Sequence, residues 1–182
     1  MNEQEGNQSH GSAKNTNGKN GRTLTLEEHL DNLVRHIELV RDAGLLLGKR
    51  LIHEGEVDFG RLLIGRVFVH DATKFAGIEW RYLHSGQAIP KEKLELAVTQ
   101  HQETNEHHPE YWGGVSEMPA LAVAEMVCDW YARSQEFGTG LRDWIEETAV
   151  ERFSINKDSH QYQLIQKYVD LLLEDTFVHE DQ

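Results

Sequence analysis

The chain has 182 residues, a length that favours one domain. Its 31 acidic residues against 18 Lys plus Arg give a formal net charge of −13, which argues against a standing DNA, RNA or anionic-membrane coat, because those partners need a cationic face. The single cysteine, Cys128, excludes an intrachain disulfide framework and fits a reducing, cytoplasmic setting, whereas 11 histidines leave room for a metal site.

Residues 1–22 are rich in Asn and Gly, with only Met1 and Ala13 apolar. Such a segment cannot offset the entropy of ordering and is expected to be a disordered tail. It has no apolar stretch of a secretory signal, and no run in the chain approaches the ~20 residues of a membrane span. The tail holds three cations and two acids, so residues 23–182, read as one helical domain, carry −14. From there the spacing is helical. Thr25 is a good N-cap, with Glu27 and Glu28 in the first turn. Leu26, Leu30, Leu33, Ile37, Val40, Gly44, Leu47 and Leu51 follow helical periodicity up to a stop at Gly55. A second helix is expected from Asp58 to Val69, and a third, or its continuation, from Phe75 to His84. Pro90 opens a helix with Leu94, Val98 and His101 on one face. Residues 102–118, with Pro109, Gly113 and Gly114, are expected to be loop. Pro119 opens a helix to about Gln135, and further helices are expected near 140–152 and 159–176. With almost no alternating pattern, the fold class is all-α: one compact helical bundle.

The chemistry centres on His70-Asp71, inside RVFVHDATKF. Composition alone gives about 0.6 His-Asp pairs by chance, so the pair itself carries nothing. Its setting carries more. It follows an apolar run, so it should sit at the inner end of a buried helix, and a buried carboxylate must be paired or coordinated. A salt bridge to Asp71 with a hydrogen-bonded His70 is the plainer explanation; a metal ion would satisfy both groups. His36 lies at the edge of the apolar stripe of the first helix. Asp129 lies among apolar residues in EMVCDWYA, one turn after Glu125. Each is unremarkable alone. Together, three helices each offer a ligand-type residue at an apolar position.

The order His, His-Asp, distant Asp resembles the HD-domain superfamily of metal-dependent phosphohydrolases. The gaps are 34 residues from His36 to His70 and 58 from Asp71 to Asp129. The context HDATKF…EWRYL, HQETNEHHPEYW and EMVCDW is similar to a small bacterial and phage branch of that superfamily, over residues 28–135. The resemblance implies that His36, His70, Asp71 and Asp129 bind one divalent metal: Mn, Co, Fe or Zn, with Mg as a further candidate. Two-metal members insert extra histidines between the His-Asp and the last Asp, as His101, His107 and His108 are inserted here, although six residues from His101 to His107 is a shorter spacing than is usual. These three could alternatively bind phosphate or protonate a leaving group; the acids around them also suit a plain solvated loop.

Lys74, three residues after Asp71, suits contact with a substrate phosphate, as in the HDxxK of many HD proteins, or simply a salt bridge to Asp71 or Glu79. HD nucleotidases carry Glu where Lys74 stands, which leaves Glu79 and Glu125 as candidates for the general base. Arg66 and Arg81 flank the region and could hold phosphate oxygens. Tyr111 and Trp112 could stack on a base or cap the pocket. Cys128 reads as a small buried hydrophobe. Neither a phosphate-binding GxxxxGK[ST] loop nor a dinucleotide GxGxxG follows a strand. The leading expectation is therefore a phosphohydrolase acting on a nucleotide or other small phosphoester. The alternatives are a di-iron oxygenase of the HD type and a non-catalytic helical binding protein that keeps the metal. A homodimer is left open.

Overall fold

The computed structural model describes residues 24–174. The expected tail over 1–22 lies outside them. Among the described residues every regular element is helical, and none of the helices is long and apolar enough to cross a membrane.

Helix α1 (Leu26–His53) begins where its cap chemistry puts it. Thr25 Oγ1 accepts the Glu28 amide at 3.2 Å, and Glu28 accepts the Thr25 amide at 2.9 Å, a reciprocal capping box. After a tight turn, α2 (Val57–Val67) runs back along α1. Their crossing is close because it is lined with glycine. A Cβ on Gly48 would stand 2.9 Å from the Gly60 carbonyl oxygen, and one on Gly44 would overlap the Val67 side chain. This contact fixes the register of α2 on α1. It therefore sets how near the residues after Val67 come to His36, two turns before Gly44. Gly60→Ala is expected to destabilise the fold by about 1–3 kcal/mol through overpacking, outweighing the ~1 kcal/mol gained from helix propensity. A lower midpoint in urea at unchanged slope is the expected reading.

Contrary to the sequence expectation, α2 stops at Val67, and His70-Asp71 lies beyond it in a turn. Asp71 has φ 56°, the left-handed region that Asp and Asn tolerate best among residues with a side chain. The chain then makes a 3-10 turn (Ala72–Phe75), α3 (Gly77–Leu83) and α4 (Lys91–Thr104). The expected loop at 102–118 is also more structured. It holds the end of α4, a short α5 (Pro109–Trp112) with Pro at its first position, and a 3-10 turn (Val115–Glu117). Gly113, at φ 78°, closes α5. Trp112 Nε1 donates to the Glu106 carbonyl at 2.8 Å, pinning this segment to itself.

Helix α6 (Ala120–Phe137) runs through the centre, with Ala122 to Cys128 all buried. It packs on α1, α2 and α9 (His160–Leu173). Between them, α7 (Leu141–Trp144) passes through a π-helical turn (Ile145–Ala149) into α8 (Val150–Arg152), so the helix expected over 140–152 is interrupted. The core joins Leu47, Leu51, Leu63, Met126, Ile165 and Tyr168. Cys128 is fully buried, and burial pushes its thiol up, consistent with an inert hydrophobe.

Candidate metal centre

Asp71 stands at the middle of a buried polar cluster in which its two oxygens face different ways. Oδ2 lies 3.6 Å from His36 Nε2 and 3.6 Å from His70 Nε2. Oδ1 lies 3.3 Å from His101 Nε2 and 3.6 Å from His107 Nε2. On the first side, Asp129 Oδ1 approaches His36 Nε2 to 3.1 Å. His36, His70 and Asp129 form one group whose ligand-type atoms lie within 4.8 Å of one another, and His101, His107 and His108 form another. Around a single ion with bonds near 2.1 Å, neighbouring ligand atoms stand about 3.4 Å apart in a tetrahedron, and opposed ones about 4.2 Å in an octahedron.

The inward-facing atoms have no hydrogen bond of their own. His36 Nε2, His70 Nε2, Asp71 Oδ1, His101 Nε2, His107 Nε2, His108 Nε2 and Asp129 Oδ1 are all buried and unpartnered. Leaving so many polar atoms buried and unpaired is costly, about 1–3 kcal/mol each, unless something binds them together.

Two of the outward-facing atoms are hydrogen-bonded to a carboxylate, His70 Nδ1 to Glu125 Oε1 at 3.1 Å and His101 Nδ1 to Glu79 Oε2 at 2.7 Å, and His36 Nδ1 lies 3.3 Å from Glu136 Oε1 without a hydrogen bond. A carboxylate behind an imidazole fixes its tautomer and aims Nε2 at a metal. Glu79 and Glu125, the candidates for the general base, thus stand behind histidines. Glu79 also accepts from the Thr73 hydroxyl at 3.0 Å, and Glu125 also binds Arg66 at 2.6 Å, so both are committed away from the interior. Glu125 Oε1 also lies 3.7 Å from His107 Nδ1, which makes a third ligand-type group with His70. Because Arg66 already neutralises that carboxylate, it is best understood as a brace behind two histidines. Arg66 spans to Glu106 as well, at 2.6 Å, which ties α2 and α6 to the histidine turn and removes Arg66 from substrate contact.

The charges favour ionised carboxylates in the centre. Burial alone would raise Asp71, but Lys74, His70 and His101 hold it well below the usual carboxylate range. Burial opposes ionisation of Asp129 too, and His36, His70 and Arg133 hold it low. Burial and the neighbouring His70 and His108 push His107 well down, while burial and His101 bring His108 to about 4. Both imidazoles are therefore biased toward the neutral form, in which one ring nitrogen keeps its hydrogen and the other offers a lone pair. In His36 burial is outweighed by Asp129 and Glu136, which raise it.

The short spacing from His101 to His107 closes up because α4 ends between them. Asn105 donates its side-chain amide to the His101 carbonyl at 2.8 Å and to the Thr73 hydroxyl at 3.2 Å, turning the chain back. The rings of His107 and His108 then stand 4.3 Å apart, and those of His70 and His107 4.2 Å.

A cavity of about 570 Å³ opens onto this centre, with Lys74, His101, His107, His108 and Asp129 in its lining. Lys74 Nζ sits 2.5 Å from Asp71 Oδ2, so its ion pair is present in the free protein. The remaining wall includes Trp130, which ends the EMVCDW motif, and Arg133, Trp144 and Phe153, which no local motif marks. Three expected substrate contacts do not reach it. Arg81 is exposed on α3 and lies outside the lining. Tyr111 is exposed and packs edge-on against Trp112, and Trp112 is spent on the Glu106 carbonyl.

No curated protein and no solved structure matches this chain. Residues 25–178, which include every residue of the centre, match the sequence profile of a family of unknown function (DUF5662), and the chain belongs to that family.

Proposed function

We propose that the chain is a metal-dependent phosphohydrolase of the HD type with two divalent ions, acting on a nucleotide or other small phosphoester. The observation that carries this reading is the gathering of buried ligand atoms in two groups around Asp71, whose two oxygens each face two histidine Nε2 atoms. His36, His70, Asp71 and Asp129 would hold one ion; His101, His107, His108 and the second oxygen of Asp71 would hold the other. A mixed imidazole and carboxylate set suits Mn, Fe, Co or Zn better than Mg, which favours all-oxygen sites. Such ions, when bound, lower the pKa of a water and polarise phosphoryl oxygens.

The chain's own residues supply the rest. Lys74 brings an ammonium to the junction of centre and cavity, where a phosphate oxygen can accept from an N–H not used on Asp71. Glu125 and Glu79 keep the imidazoles of His70 and His101 aimed inward. The cavity disfavours a purely structural metal, which would be closed off by its ligands.

The test is phosphate release from a nucleotide and phosphoester panel after reconstitution with Mn, Co, Mg, Fe or Zn. Metal-dependent release is expected. The second histidine group equally suits the alternative of a di-iron oxygenase. Two irons per chain with oxygen consumption and no phosphate release would replace the present reading with that one.

A further inference from the structure

The lining of the cavity beside the centre is of two kinds. One part is polar, with Lys74, whose side chain is 11% exposed, and His101, His107 and His108. Another part is aromatic. Trp130 stacks on Phe153, with ring centroids 5.7 Å apart and planes 15° apart, and meets Trp144 edge-on at 5.3 Å. The π-helical turn lies between Trp144 and Arg152, and both border the cavity together with Phe153. An extra residue per turn is a means of re-aiming side chains at a site. Arg152 places its guanidinium 5.0 Å from the Phe153 ring centre, and Arg133 is also in the wall. In a chain of net charge −13, the lining carries three cations, Lys74, Arg133 and Arg152, against the one acid, Asp129. The volume, about 570 Å³, is far larger than a phosphate ion needs and lies within the range of small-molecule sites, about 300–1,000 Å³.

We infer that this cavity is a subsite for the organic part of the ligand, and that it selects phosphomonoesters bearing a planar ring over open-chain phosphoesters and inorganic phosphate. The anionic head goes to Lys74 and the metal end; the ring lies against the wall built by Trp130, Trp144 and Phe153. Of the neutral polar side chains in the lining, Ser134 donates to the Tyr131 carbonyl at 2.7 Å and Gln102 donates to Glu110 at 3.3 Å. The three aromatic rings make shape and stacking the basis of selection. This inference rests on the proposed phosphoester chemistry for the position of the head group.

The experiment is calorimetric binding of naphthylmethylphosphonate and of methylphosphonate, neither of which can be hydrolysed, to the manganese-loaded full chain. The naphthyl compound is expected to bind at least about 10-fold more tightly, the scale of one ring stacked on aromatic side chains, and to quench tryptophan fluorescence. Trp144→Leu should remove that preference and leave methylphosphonate affinity unchanged. Thr139→Trp, which fills the cavity from an exposed lining position, should do the same without touching the core. Equal affinities of the two compounds, no binding of either, or a parallel loss for both in the variants would overturn the inference. A ring preference in a protein that releases no phosphate from any ester would keep this subsite and remove the hydrolase reading. Phosphate release without ring preference would do the reverse.

Discussion

Asp71→Asn should empty both halves of the centre and lower metal-dependent activity by more than ~100-fold, beyond the ~10–100-fold that follows loss of an outer carboxylate. Asp71 turns a different oxygen to each histidine group, with Oδ2 toward the Nε2 atoms of His36 and His70 and Oδ1 toward those of His101 and His107. Asparagine is the informative replacement. Asp71 has φ 56°, and Asn tolerates that conformation as Asp does, so the charge changes and the backbone does not. Alanine would add backbone strain of about 1–3 kcal/mol and confuse the two effects. The substitution also leaves Lys74 without its ion pair. Thermal unfolding followed by circular dichroism therefore accompanies the metal and activity measurements. A folded Asp71→Asn protein with full metal content and activity would remove Asp71 from the centre.

The second large effect should come from a residue that touches no ion. Glu125→Gln is expected to weaken metal binding by about 10–100-fold while the protein stays folded. The Glu125 carboxylate braces His70 Nδ1 at 3.1 Å, stands 3.7 Å from His107 Nδ1 and takes the charge of Arg66. It thus supports one histidine of each group. Glu79→Gln should act on the His101 side alone, because Glu79 holds only that imidazole. Competition with a chromophoric chelator reads the difference: two weakened sites for Glu125→Gln, one for Glu79→Gln. Equal and complete loss of activity with unchanged metal affinity would instead return these glutamates to a direct role in proton transfer.

The sequence carried the helices well because their signals are local. The Thr25–Glu28 capping box, the apolar spacing of α1, and Pro90 and Pro119 before α4 and α6 each depend on a few neighbouring residues. The inward ligand atoms were legible for the same reason: acids and histidines at apolar positions stand out. What surrounds them was not. The partners Glu136 for His36, Glu125 for His70 and Glu79 for His101 are far apart in the chain and join only when the helices pack. The sequence offers Glu79 and Glu125 as general-base candidates, but their direction relative to the histidines depends on tertiary geometry. Glu136 sits among polar residues near the end of α6 and gave no signal. The helical reading of His70-Asp71 failed because an apolar run followed by His-Asp looks continuous, whereas the left-handed turn at Asp71 is what lets its two oxygens face opposite groups. Likewise Pro109, Gly113 and Gly114 read as loop, although Pro starts and Gly ends a short helix there.

The centre as a two-ion site is tested most directly by metal stoichiometry. The manganese- or iron-reconstituted chain, freed of excess ion and measured by mass spectrometry against protein concentration, should hold two ions. The double variant His107→Ala, His108→Ala should hold one, bound by His36, His70, Asp71 and Asp129. A wild-type chain that retains no ion, or one that holds a single ion unchanged in the double variant, would contradict the two-ion account.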